Sequence, residues 1–304
     1  MRRPPLLITC AEAQGVRGVK PSRVLLDLLT YVGEIFKTNC LGGVGMYATV
    51  KWFGVAQRAK IVVFKAGKPS RKGFHLPFDD DVENSVDECG RLAASISRTR
   101  SRIYELAACN EWDWFFTGTL NPEWCDVNNL RLFRARLSQS IRDFRKSSGC
   151  AVRYLLIPEQ HKSGAWHMHG LFGGLPPEKL RKLTLQEHLP YKLLERIKAH
   201  DDLFSWDWYS SRFGFTTLTP MRNVAATAAY VTKYITKDLM SDKLDSNAHS
   251  YFASIGLKGA DIIAEGDISE CDIPASAFEN DYVYMLYTDV DELNDIVAKM
   301  RRVH

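Results

Sequence analysis

The stretch Glu159-Gln-His161-Lys-Ser-Gly-Ala-Trp-His167-Met-His169 decides how this chain is read. Val152 to Ile157 and Trp166 to Phe172 flank it as apolar, β-prone runs, and Lys162-Ser163-Gly164 between them has the composition of a turn. A turn centred on Ser163 sets Glu159 opposite His167 in an antiparallel pair, and opposed residues share a face of the sheet. His169 joins them at period two, while Trp166, Met168 and Phe172 face the other side. A carboxylate and two imidazoles then converge. A turn of even length would slip the register by one residue and separate Glu159 from the histidines. The competing reading is a half-buried strand whose histidines face solvent; the upstream acid is what weighs against it.

Carboxylate and imidazole ligands together suit Mg²⁺, Mn²⁺ or Zn²⁺, and three protein ligands leave positions open for a substrate oxygen, as catalysis needs. His161 shares the face by parity, as a fourth ligand, an acid–base group or a residue at the rim of the turn.

With 304 residues, 45% of them hydrophobic, the chain is long enough to bury a real core. No apolar run approaches the roughly 20 residues of a membrane span, and the apolar stretch after Met1-Arg2-Arg3 is too short for a secretory signal, so a cytosolic protein with no membrane partner is expected. The seven cysteines form no Cys-x-x-Cys pair, which favours reduced thiols over a structural zinc cluster. Charge is unevenly spread. Residues 259–298 hold eleven acids and no Lys or Arg, so with a net charge of +4 the remainder carries 4 + 11 = +15. A basic body fits a polyanionic partner such as nucleic acid, and a merely solvated surface is the alternative.

The pattern divides the chain into an N-terminal extension over 1–45, a body over 46–258 and an acidic segment over 259–304. In the extension, Pro21-Ser22 would start a helix. The body opens with strands over Tyr47 to Phe53 and Ala59 to Phe64. A helix over Val86 to Ala108 follows Asp79-Asp80-Asp81, then a strand over Trp112 to Leu120 and a helix over Val127 to Lys146. Both helices carry arginines on one face, suited to phosphate or to water. A helical region is expected from Pro176-Pro177 to His200. Trp206, Trp208 and Tyr209 beside Arg212 either stack bases or pack inside, and a strand runs from Phe213 to Leu218.

From Asn223 a helix to about Met240 presents Val224, Ala228, Val231, Ile235 and Leu239 as one apolar stripe. Tyr230 and Tyr234 fall to one side of it, a turn apart, with Lys233 and Lys237 nearby. A phenol is a poor nucleophile at its free pKa near 10 and needs a neighbouring cation or base. Opposite a metal-bound phosphate it can attack in line, leaving a phosphotyrosine and a sugar hydroxyl.

Three motifs in this order, Phe116-Thr117-Gly118-Thr119, His167-Met-His169 with Glu159 upstream, and Tyr230-x-x-Lys233-Tyr234-x-x-Lys237, resemble those of the HUH-superfamily rolling-circle replication initiators, nearest to the filamentous-phage gene II type. The resemblance implies an α+β endonuclease fold with a central, mainly antiparallel five-stranded sheet flanked by helices. It implies Mg²⁺ or Mn²⁺ on Glu159, His167 and His169, with Tyr234 as first nucleophile and Tyr230 as its partner. Lys233 and Lys237 would balance charge, and His161, Thr117 and Thr119 would be accessory. The implied reaction is site-specific nicking and rejoining of single-stranded or hairpin origin DNA through a covalent 5′-phosphotyrosine. These 304 residues contain no Gly-x-x-x-x-Gly-Lys-Ser/Thr loop, so a host helicase and polymerase are implied partners. Gly118 departs from the apolar residue usual in the first motif. The rivals are a transposase of the same chemistry, a non-catalytic DNA-binding initiator or repressor, and a metalloenzyme that activates water.

Overall fold

The computed structural model describes residues 46–65, 67, 88–160, 165–234, 250–275, 277–279 and 283–300. Residues 1–45 with their expected helix, Asp79 to Asp81, His161, the turn 162–164 and Lys237 lie outside these.

In chain order the elements are β1 (Met46–Phe53), β2 (Arg58–Phe64), α1 (Glu88–Ala108), β3 (Trp114–Thr119), α2 (Leu130–Ser148), β4 (Arg153–Gln160) and β5 (Trp166–Gly173). There follow β6 (Arg181–Lys182), α3 (Tyr191–His200), β7 (Phe204–Ser205), α4 (Asp207–Ser210), β8 (Thr216–Pro220) and α5 (Val224–Val231). The last are β9 (Phe252–Ala253), β10 (Asp261–Ile268), β11 (Phe278–Glu279), β12 (Val283–Thr288) and α6 (Val290–Met300). The architecture is α+β, with two antiparallel sheets in two compact units, residues 86–258 and residues 1–85 with 259–304.

The first unit holds a seven-stranded sheet in the order β6-β7-β8-β3-β5-β4-β9. Where five strands were expected, four longer ones, β8, β3, β5 and β4, are extended to seven by three two-residue strands. The histidine strand β5 lies inside the sheet, between β3 and β4. Gln160 pairs with Trp166 and Glu159 with His167, so the expected register is the one observed.

One face of this sheet builds the core. Phe116 packs edge-on against Phe172 and Tyr209, and Phe172 against Trp206. Helix α2 covers this face with Leu130, Phe133, Leu137, Ile141 and Phe144, all buried at helical spacing. Its ends follow from sequence: the Asn129 side chain accepts from the Leu132 N–H, and Gly149 closes the helix at φ 71°. Each fully buried aromatic or Leu contributes about 1.5–3 kcal/mol. Trp206 and Tyr209 are fully buried in this cluster, which removes them as a platform for DNA bases. Two arginines of α2 are also committed inward. Arg136 donates to the Trp124 carbonyl, and Arg145 to the Val152 carbonyl and the Ser254 hydroxyl.

Of the helical region expected over 176–200, a 3₁₀ turn forms over Pro177–Lys179 and an α-helix over Tyr191–His200, preceded directly by Pro190. Proline disfavours helix in the residue before it and lacks an N–H for an interior turn, so the segment upstream is mostly extended. Leu183 in it packs with Ile197 and Leu203.

In the other unit the order is β10-β1-β2-β12-β11. Strands β1 and β2, expected to open the body that carries the histidines, pair with β10 and β12 from the acidic segment. The unit that carries the histidines ends at Lys258, and the acidic segment from Gly259 is folded with 46–64. Helix α6 seals the sheet through Leu293, Ile296 and Met300 against Val50, Ile61, Val63 and Leu286. Acidic Asp267, Asp291 and Asp295 remain exposed.

Candidate active site on the sheet face

Alternation along β3, β4 and β5 sends Thr117, Thr119, Glu159, His167 and His169 to the face opposite the aromatic core. Thr117 is the cross-strand neighbour of His169, and Thr119 of His167. Glu159 faces His167 but reaches the diagonal residue, its Oε2 lying 2.8 Å from His169 Nε2. The threonine hydroxyls lie on the other ring nitrogens, Thr117 Oγ1 3.3 Å from His169 Nδ1 and Thr119 Oγ1 3.4 Å from His167 Nδ1. A hydroxyl both donates and accepts, so Thr117 can accommodate either tautomer of His169. Burial, partly offset by Glu159, pushes the His169 pKa below its ordinary value, which favours neutral imidazole.

The donor set fits a hard or borderline divalent ion. Two ligands at right angles, each about 2.1 Å from an ion, stand about 3 Å apart, close to the Glu159–His169 separation. Among the described residues no three His, Cys, Asp or Glu side chains are gathered closely enough to hold an ion as they stand. Glu159 and His169 are the close pair, and His167 is the next group on the same strand face.

Gly118 has a steric reason. A Cβ there would lie 2.7 Å from Phe116 Cζ and 3.3 Å from the Tyr209 hydroxyl, so the aromatic core occupies the space a side chain would take. The glycine thus serves the buried face, while Thr117 and Thr119 serve the other.

Helix α5 lies over the site face, packed along α1 and capped by the Asn223 side chain, which accepts from Ala226 N–H. After Val231 it tightens into a 3₁₀ turn over Thr232–Tyr234. In such a turn residues three apart eclipse, so Tyr234 falls in line with buried Val231. That corrects the placement of Tyr234 beside the apolar stripe, since it is only 7% exposed, whereas Tyr230 is 46% exposed, as expected of a residue off the stripe.

The Tyr234 ring stacks on His169, centroids 4.0 Å apart and planes within 4°. Its hydroxyl donates to the Tyr230 hydroxyl at 3.2 Å. Lys233 Nζ lies 3.6 Å from the Tyr230 ring centroid and 4.9 Å from that of Tyr234. Lys233 and then Tyr234 hold the Tyr230 pKa below the ordinary phenol value, while burial, reinforced by Tyr230, raises that of Tyr234. The structure thus brings Glu159, His169, Thr117, Tyr230, Lys233 and Tyr234 into one connected group, with Thr119 and His167 beside it.

Phe115 went unremarked in the sequence. It packs edge-on against Tyr230 at 5.6 Å, and its period-two spacing from Thr117 and Thr119 was the available signal.

One face of an antiparallel sheet thus carries histidine, carboxylate and tyrosine side chains together. Residues 113–239, which span this face, match the family of replication-associated proteins of the ORF2 and gene II protein type, a family of rolling-circle replication initiators. Neither the curated proteins nor the solved structures show a significant match. Among the described residues no helix is long and apolar enough to cross a membrane.

Proposed function

We propose that the chain nicks and rejoins one strand of origin DNA by transesterification, with Tyr230 as the attacking phenol. The supporting observation is Tyr230 itself: an exposed residue whose hydroxyl is bonded by Tyr234 at 3.2 Å and whose ring lies under Lys233, on the face that carries Glu159 and His169. The sequence reading put Tyr234 first; its burial and its stack on His169 favour the reverse order.

In the proposed step the Tyr230 oxygen, having lost its proton to solvent, forms a bond to phosphorus, and the bond from phosphorus to O3′ breaks. The electron pair leaves on O3′, which takes a proton and becomes the primer hydroxyl. Tyr230 then holds the 5′ phosphate, and attack by a 3′-OH reverses the step. Lys233 offsets the phenolate charge, and the Tyr234 hydroxyl stabilises it by a charge-assisted bond. A divalent ion held by Glu159, His167 and His169 would supply polarisation of the phosphate. Tyr234, four residues on, is placed to act as the second acceptor once its ring leaves His169. A host helicase would expose the strand and a polymerase extend the 3′ end.

The test is a denaturing gel that detects protein joined to labelled single-stranded or hairpin oligonucleotides drawn from around the gene, with and without Mn²⁺. Tyr230→Phe is expected to abolish the first-turnover adduct. Tyr234→Phe is expected to slow it about fivefold, the worth of a hydrogen bond of about 1 kcal/mol. An adduct kept in Tyr230→Phe and lost in Tyr234→Phe reverses the assignment, and no adduct with any substrate or metal removes the reaction.

A further inference from the structure

Beside Tyr230 lies a cleft of about 530 Å³, within the roughly 300–1,000 Å³ typical of small-ligand sites. Its walls come from α3, the end of β8 and the first turns of α5. Phe115 and Tyr230 supply aromatic surface, Thr227 lies on the α5 wall, and Arg196 and Arg222 stand at the rim. We propose that this cleft receives one nucleotide of the single strand next to the scissile phosphate, its base against Phe115 and Tyr230 and its own phosphate at Arg196 and Arg222.

The charge arrangement supports a phosphodiester over a neutral ligand. Asp202 is 12% exposed and is shared between the two guanidinium groups, at 2.7 Å from Arg222 and 3.6 Å from Arg196. One carboxylate between two arginines leaves a net positive charge to be met from outside. The Asp202 Oδ1 atom is buried and has no hydrogen-bond partner among the described residues, so the wider of the two ion pairs is not closed by a hydrogen bond. The first turn of α5, which opens into the cleft, has no acidic residue, so its N–H groups add positive potential. Aromatic surface next to cationic groups is the usual means of holding a single-stranded base without reading its sequence. Tyr230 lines this cleft and also meets Tyr234, so an occupant would be bound to the attacking residue itself.

The inference rests on the proposed nicking reaction for the word scissile, and its test does not depend on cleavage. An oligo-dT carrying one 4-thiothymidine is bound to the protein without metal, irradiated, and the linked peptide identified. Crosslinks are expected at Phe115, Met221 or Tyr230. Thr227→Trp, which fills the cleft, and Arg222→Ala, at its exposed rim, should each reduce that crosslink about tenfold, in line with the loss of one stacked base or one phosphate contact. Crosslinks confined to other surfaces, or unchanged in both variants, would overturn the cleft. Crosslinks in the cleft from a protein that forms no covalent adduct would keep the cleft and overturn the transesterification.

Discussion

Replacing Thr117 by Val separates the support of His169 from its surroundings. The two side chains share β-branching and shape, so β3 keeps its pairing with β5 and β8 and only a hydroxyl 3.3 Å from His169 Nδ1 is lost. The His169 side chain is 12% exposed, so water has little room to replace the hydroxyl. Leaving a buried polar atom unpaired costs about 1–3 kcal/mol, and partial access puts this case near the low end. A loss of about 1 kcal/mol should lower the metal-free melting temperature by about 2–4 °C for a unit of this size. If Glu159, His167 and His169 hold an ion as proposed, the larger effect is expected on metal affinity. Groups that fix a ligating histidine from behind are typically worth about 10–100-fold in affinity, and Mn²⁺ titration by calorimetry should show a loss in that range. Thr119→Val, acting on His167 at 3.4 Å, serves as the parallel variant. A Thr117→Val protein that melts lower yet binds Mn²⁺ unchanged would refute the reasoning, since Thr117 would then be only a strand residue.

Lys233→Met removes the cation that holds the Tyr230 phenol low. A lowered phenol pKa populates phenolate at lower pH, so wild-type adduct formation should rise with pH through a point below 10, and the variant should need higher pH; identical pH–rate profiles would contradict this. Gly118→Ala places a Cβ 2.7 Å from the Phe116 ring and should cost about 1–3 kcal/mol in denaturant unfolding, with an unchanged midpoint as the contrary result. Among the arginines of α2, Arg145→Met should destabilise by about 1–2 kcal/mol through its lost bonds to Val152 and Ser254. Exposed Arg134→Ala should leave stability alone and, if that face meets DNA, reduce the salt slope of binding by about one; the opposite pattern would mean their roles are exchanged.

How much could be read from the chain depends on the range of the interaction. The pairing of Glu159 with His167 follows from a count of residues around Ser163, and strand alternation then fixes which side chains meet. Helix α2 was visible because its apolar residues recur at helical spacing. The placement of Tyr234 was not, since a uniform 100° per residue cannot anticipate a last turn that tightens by about 20° per residue and turns the ring into the interior. The cleft was hidden for another reason: Phe115, Arg196, Asp202 and Arg222 come from separate elements and share no local pattern. Trp206 and Tyr209 show the limit of composition, for aromatics next to an arginine read alike whether they stack on bases or on each other.

The pairing of β1 with β10 also bears on how the protein is made. Strands near residue 50 leave the ribosome long before their partners near 265, so they wait while about 200 intervening residues are synthesised, and that wide loop must close before the sheet exists. Cutting the chain at Lys258 would therefore not trim a tail. It would leave a two-stranded ribbon with bare edges and with Val50, Ile61 and Val63 uncovered, a surface prone to joining other chains. Any deletion meant to explore the acidic segment therefore has to remove residues 46–64 along with it.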